Sequence, residues 1–367
     1  MNIYVTSEQI GLEGYWITDI LAGISKEAVK KNITVVDYDG EVLTVNDEFT
    51  RPIVLVVGYS YKWMEQTCRR LLKEKAEPLL VTSGQDTYTS LIDTAGFVSF
   101  GIKKAIYNVV SYLITNKRSR IAFFGAHNDT YGDSVKINEF LRICKYLGLS
   151  SNDHDVYRDI SLADCARTFN MNLGKYNAVI CPNDAAALFL AKWLEDRNIR
   201  IPEDVFIVSF GNSEVARTAK PSITTVENNF FELGKQAVKL HQFLQKNSDT
   251  GCTTVTVDCK IIERRSTDSI KFTKAIPRKI FNSSIPLYDA DMDVMAVLQA
   301  EELVRMWDDI DRQIIKGLLL GKTIVAIAEG LFISVSAVKY RIKKMLTAAN
   351  LRNKDELAEI VRRYDIL

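Results

Sequence analysis

Ile180-Cys181-Pro182-Asn183-Asp184-Ala185-Ala186-Ala187 runs from the end of an apolar strand into the start of a helix. Asn183-Asp184 stands at the carboxyl end of the strand, where an Asn or Asp side chain can cap the helix it opens. The same alternation extends in both directions. Apolar, β-branched runs occur at 3–6, 33–36, 53–57, 79–81, 121–124, 178–181 and 206–210. Helical stretches lie between most of them, at 15–31, 61–75, 102–115, 134–146 and 184–197. The strands are nearly continuously apolar, as expected of parallel strands covered by helices on both faces. This predicts a doubly wound α/β body. Some 265 residues are many for one sheet, so two α/β lobes are expected.

Three further segments carry information. Ile201-Pro202-Glu203-Asp204-Val205-Phe206-Ile207-Val208-Ser209-Phe210-Gly211-Asn212 is a strand ending in small and polar groups. Pro221-Ser222-Ile223-Thr224-Thr225-Val226 follows, then Leu233-Gly234, and later Ile261-Ile262-Glu263-Arg264-Arg265-Ser266-Thr267. Together they resemble the effector domain of the LacI/GalR family, which shares its fold with periplasmic sugar-binding proteins. The resemblance covers nearly all of 1–267 and is strongest after Arg120. It implies a clefted domain, with lobe 1 at about 1–118 and 226–246 and lobe 2 at about 119–225 and 247–267. It also implies a small-molecule effector, a sugar or phosphorylated metabolite, and a homodimer. A typical member begins with a helix-turn-helix; here the resemblance begins at Met1.

Ligand positions transfer one at a time. Tyr15-Trp16 corresponds to an aromatic pair that stacks on a sugar or base ring, with plain packing as the competing reading. Asn183 corresponds to a strand-end ligand residue, with helix capping as its alternative. Lys136 stands at or near the family's Arg, and Gly211 stands where the family has Asp, followed by Asn212. A lost carboxylate and an ammonium in place of a planar guanidinium argue against the usual sugar recognition.

Residues 268–305 read as a linker and connecting helix. Pro277 and Pro286 fall in an aperiodic stretch, whereas 289–306 lacks Gly and Pro and predicts a helix. Its apolar positions, Met292, Met295, Leu298 and Leu303, serve either dimerisation or packing of the terminal domain.

Residues 306–367 predict an all-α four-helix domain. Asp308 with Asp311 opens the first helix, whose face is Ile314, Ile315, Leu318 and Leu319, and Gly321 ends it. Thr323 caps the second, with Ile324, Ile327, Ala328 and Leu331 inward. Residues 330–333 make a turn and Ser334 caps the third. There Ala337, Val338, Ile342, Met345 and Leu346 are expected inward, leaving Val335, Ser336, Lys339, Tyr340, Lys343 and Lys344 outward. A fourth helix covers about 354–363. The outward groups, with Thr323, suit phosphate anchoring and base-edge contact in the major groove of double-stranded DNA.

The order resembles the LuxR/GerE-type helix-turn-helix. The matching residues are Gly321, Ile327-Ala328-Glu329, Leu331-Phe332-Ile333-Ser334, Val338-Lys339 and Leu351-Arg352-Asn353-Lys354-Asp355-Glu356. Ala337 replaces the family's usual Thr, and Asp308-Asp309-Ile310-Asp311 replaces its usual opening.

Charge agrees with a nucleic-acid reader. Between Lys316 and Lys354 eight Lys and Arg face one acid, Glu329, a net +7, so the rest of the chain carries −6 of a total of +1. No apolar run is long enough to span a bilayer, and Met1-Asn2-Ile3-Tyr4-Val5 is not the start of a signal peptide. A cytoplasmic protein without membrane contact is expected. Six scattered cysteines and three distant histidines predict no metal site. There is no GxGxxG after the first strand, no GxxxxGK[ST], no nucleophile elbow and no catalytic carboxylate pair, so neither a cofactor nor an enzyme is expected. The expected function is a ligand-responsive transcription regulator. The alternative is a DNA-tethered module whose body binds a partner protein.

Overall fold

The computed structural model describes residues 2–8, 15–38, 52–58, 60–82, 94–127, 131–247, 249–268 and 292–367. The linker between 269 and 291 lies outside them. The body is built on two six-stranded sheets. The first holds β1 (Asn2–Ser7), β2 (Thr34–Asp37), β3 (Ile53–Val57), β4 (Glu77–Val81), β5 (Gly96–Phe100) and β11 (Thr253–Val257), ordered β11-β5-β4-β3-β1-β2 and parallel throughout. The second holds β6 (Ile121–His127), β7 (Val156–Asp159), β8 (Ala178–Ile180), β9 (Phe206–Gly211), β10 (Thr224–Glu227) and β12 (Lys260–Ile262), ordered β12-β10-β9-β8-β6-β7. Only β12 is antiparallel, against β10. Every residue of β3, β5 and β9 is buried, which explains why Ser99 and Ser209 are the only polar residues among them.

Helices α1 (Tyr15–Lys30), α2 (Tyr61–Lys73) and α8 (Phe230–Lys246) cover the first sheet. Helices α3 (Ile102–Thr115), α4 (Tyr131–Tyr146), α5 (Leu162–Asn170), α6 (Asp184–Glu195) and α7 (Glu214–Thr218) belong to the second. Helices α1 and α8 approach so closely that a Cβ on Gly234 would stand 2.0 Å from the Ile20 carbonyl oxygen, and one on Gly23 2.0 Å from that of Phe231. Only glycine fits at either position.

The lobe boundaries differ from the sequence expectation in two places. Helix α3 packs on α4 and β12, so the first crossover falls near Gly101 rather than at 118. Strand β11 pairs with β5, Val255 opposite Val98, so the segment after α8 stays in the first lobe through Val257 instead of entering the second at 247. All three crossovers, near 101, 228 and 258, therefore lie together. Lys104 of α3 pairs with Asp258 there at 2.8 Å.

The C-terminal part holds α9 (Met292–Met306), α10 (Asp309–Leu319), α11 (Ile324–Leu331), α12 (Val335–Ala348) and α13 (Lys354–Tyr364). Helix α9 packs on α6 and α7 of the second lobe and on α12 and α13. One apolar core runs through the junction, joining Leu188, Val205 and Val215 to Val297, Leu303, Trp307, Ile315 and Val361. The buried face of α9 is Val297, Leu298, Ala300, Glu301, Leu303 and Val304, with Met295 partly buried. It is wider than the expected stripe, and the side chain of Met292 lies outside the described residues.

The caps form as the side-chain chemistry requires. Asp308 and Asp311 make a reciprocal box at α10, Thr323 accepts from Ala326 N at 3.2 Å, and Ser334 from Ala337 N at 3.1 Å. Gly321 has φ +71°, the left-handed position after a helix. In the turn between α11 and α12 the left-handed residue is Phe332 (φ +54°), not Gly330, and its ring is 96% exposed. A bulky residue pays strain for that conformation. Arg341 of α12 ties the bundle together, donating to Asp308 and Asp311 at 2.8 Å each.

Candidate functional site

In open α/β sheets ligands gather outside the carboxyl ends of strands. On the second sheet these ends are His127, Cys181-Pro182-Asn183, Gly211-Asn212 and Glu227-Asn228. Asn183 caps α6, its Oδ1 accepting from Ala186 N at 2.9 Å, so the capping reading holds. The residue is 1% exposed, and its Nδ2 has no hydrogen-bond partner among the described residues. A buried amide donor without an acceptor is costly unless something arrives to satisfy it. Lys136 of α4 reaches the same corner. Its Nζ donates to the Pro182 carbonyl at 2.9 Å, approaches Asp133 Oδ1 at 3.5 Å, and lies 5.4 Å from the Phe210 ring centroid. At 9% exposure it is not an ordinary surface lysine.

Beneath this corner is a buried polar network. The Asp184 carboxylate accepts from Ser209 Oγ, from Ser213 N at 2.6 Å and from Thr225 Oγ1 at 2.9 Å. Asn212, in the left-handed region at φ +68°, is engaged rather than free. Its Oδ1 accepts from Arg264, its Nδ2 donates to Glu227 at 3.2 Å, and its backbone N–H donates to Thr225. Burial lowers the Arg264 pKa and the nearby Asp184 charge raises it again. Sequence reasoning named Asn212 and missed Arg264, which holds it. Cys181, also at this edge, is an inert thiol, since burial pushes its pKa well above the ordinary value.

The first lobe contributes less to a described site. Residues 9–14, 59 and 83–93, which follow β1, β3 and β4 in the chain, lie outside the described set, as does the side chain of Tyr15. Trp16 is 6% exposed and its ring centroid stands 5.7 Å from that of Phe230, within the apolar core. Packing is the role its position supports. The structure thus brings Lys136 and Asn183 together, ties Asn212 into the network below, and sets Trp16 into the first lobe.

A second surface lies on α12. Ser336, Lys339, Tyr340, Lys343 and Lys344 are exposed, and no acid pairs with the three lysines among the described residues. Thr323 is exposed at the start of α11, its hydroxyl accepting from a backbone amide. Val335 is the exception, half-buried and packed on the bundle core rather than presented outward. Among the described residues no cluster of His, Cys, Asp and Glu could hold a metal ion, and no helix is long and apolar enough to cross a membrane.

Residues 110–267 match the profile of the periplasmic binding protein-like domain. The chain is 25% identical over 169 residues to the HTH-type transcriptional repressor PurR of Vibrio atlanticus (strain LGP32), a match covering 45% of this chain and 50% of that protein. It spans about half the length of the curated relatives it matches. The transcription regulator CcpA of Lactococcus lactis superposes with a TM-score of 0.57 at 18% identity, covering 73% of this chain and 100% of that one. A LacI family transcriptional regulator from Enterococcus faecium, solved with bound ribose, does so at 0.53 and 17%, covering 74% and 100%. These likenesses establish the fold of the body, a two-sheet, largely parallel α/β fold like that of these regulators.

Proposed function

We propose that this chain is a ligand-responsive transcription regulator. An effector bound between the two lobes would control the grip of a C-terminal LuxR/GerE-type helix-turn-helix on double-stranded DNA, in a cytoplasmic homodimer. The observation that carries the reading is the exposed face of α12. A capped helix, entered by a short turn from α11, offers three ammonium groups, a phenol and a hydroxyl on one side while Val338, Ile342 and Met345 root the other. That is the chemistry of a major-groove helix. The test is affinity for a random-sequence DNA duplex across a salt series. Lys339→Ala and Lys343→Ala are each expected to weaken binding and to reduce the slope of log affinity against log salt by about 1. Unchanged affinity in both variants would remove α12 from the interface.

The effector half rests on Lys136 and the unpartnered Asn183 amide. Both are donors, so they call for a ligand rich in acceptors, such as a sugar phosphate or a nucleotide. At about a hundred times its Kd such a ligand adds about 2.7 kcal/mol of stability, enough to raise Tm by several degrees. A thermal-shift panel of sugars, sugar phosphates and nucleotides is expected to contain a stabiliser whose effect is lost in Asn183→Ala. The engagement of Asn212 by Arg264 and Glu227 favours a second reading, in which the body binds a partner protein and tethers it to DNA. A panel with no stabiliser would select that reading.

A further inference from the structure

We propose that Glu301 latches α9 onto the N-terminus of α7, and that this latch carries the state of the effector cleft to the C-terminal bundle. The inference rests on the regulator reading and adds the route by which the two ends communicate.

The route is a chain of hydrogen bonds between neighbouring groups. Asn183 and Asn212 follow the carboxyl ends of the adjacent strands β8 and β9, and the next residues of the two segments meet: Asp184 accepts the Ser213 N–H at 2.6 Å. Ser213 in turn caps α7, its Oγ accepting from Ala216 N at 3.1 Å. The following two amides, of Glu214 and Val215, donate to the two oxygens of Glu301 at 3.2 and 2.9 Å. Thus a shift of the strand end at 183 or 212 moves Asp184 or Ser213, and with them the amides that hold Glu301.

The placement of Glu301 is otherwise unexplained. It is 1% exposed within an apolar helix face that packs on the second lobe. A carboxyl group buried there costs far more than an apolar side chain of the same size, so packing alone does not call for it. It does give α9 a directional attachment, which a greasy contact lacks. Helices α12 and α13 pack on the same helix, so a movement of α7 is passed through α9 to the proposed DNA reader.

Hydrogen–deuterium exchange on the full chain tests the route without knowledge of the effector. Asp184→Asn does not touch α9, yet it is expected to raise exchange of the α9 amides by about tenfold. Asp155→Asn is the control. Asp155 is as deeply buried, in the same lobe, and is held by Tyr176, Lys175 and Asn152 with no connection to α7. It is expected to leave α9 unchanged. If Asp184→Asn loosens the whole protein, exchange in β3 and β4 of the first lobe will rise as well. Ser213→Ala, which removes only the α7 cap, then takes its place with the same expectation. Unchanged α9 exchange in these variants, or an equal rise in Asp155→Asn, would overturn the proposal. The regulator reading fails separately, by absence of wild-type affinity for the random DNA duplex. Given that affinity, Glu301→Ala, which removes both acceptors of the α7 amides, is expected to bind the duplex as tightly as wild type while its α9 exchanges faster.

Discussion

Asp184→Ala is expected to destabilise the body by about 3–5 kcal/mol, the scale seen when one member of a buried charged network is deleted. The carboxylate is fully buried and takes three donors, the hydroxyls of Ser209 and Thr225 and the backbone N–H of Ser213. A hydroxyl can rotate towards another acceptor, but the Ser213 amide is fixed at the start of α7 and would be left unsatisfied at a cost of about 1–3 kcal/mol. The deletion also leaves a cavity between β9, β10 and α6 and takes a favourable charge from the half-buried Arg264. Asp184→Asn should cost less, since its side chain leaves no cavity, although one acceptor oxygen becomes a donor. Urea unfolding followed by fluorescence measures both. An Asp184→Ala variant within about 1 kcal/mol of wild type would show that the network is dispensable, and with it the argument that it organises this end of the sheet.

Much of this architecture was open to reading from residue order. Strands β3, β6, β8 and β9 are buried on both faces over nearly their whole length, so their apolar runs are visible. Strand β11 hides because Thr253-Thr254-Val255-Thr256 alternates between exposed and half-buried positions at a sheet edge. Its membership in the first lobe is a matter of pairing with β5 and leaves no local trace. At the site, Asn183 was legible because a cap residue at a strand end is a local pattern. The tie of Asn212 to Arg264 was not legible, because the two lie 52 residues apart in sequence.

The outward placing of Val335 could have been avoided by helical phase. Val335 stands three residues before Val338 and seven before Ile342, the spacing of one face, and it packs with them. Glu301 stands four residues after Val297 and three before Val304, inside the apolar stripe of α9, so its burial is legible in the same way.

Acidity should act on this protein through two buried groups with opposite signs. His241 of α8 is 1% exposed, hydrogen-bonded to the backbone of Ile53, and its Nδ1 has no hydrogen-bond partner among the described residues. Burial pushes its pKa down from 6.5 to about 4. The folded state therefore resists protonation, and stability is lost as pH falls from 6.5 towards 4, by about 3 kcal/mol in full. Burial pushes the Glu301 carboxyl up from 4.5 to about 7, against the Val215 and Glu214 amides and the charge of Arg305, while the charge of Glu214 adds to the rise. Its stabilising protonated form is present below 4.5 and is lost as pH rises towards 7, again by about 3 kcal/mol in full. Between pH 4.5 and 6.5 the two slopes oppose each other, so wild-type stability is expected to be nearly flat there. Glu301→Gln cannot ionise and should expose the histidine slope, with stability falling on acidification. His241→Gln should expose the glutamate slope, with stability falling as pH rises. The urea midpoint at several pH values reads both, and variants that keep the wild-type profile would refute the assignment. If the C-terminal bundle unfolds before the first lobe, the two slopes separate into two transitions, Glu301 governing the earlier one because it fastens α9. The same titration then reports on the latch itself, since docking of α9 should weaken from pH 4.5 towards 7 in wild type and lose that dependence in Glu301→Gln.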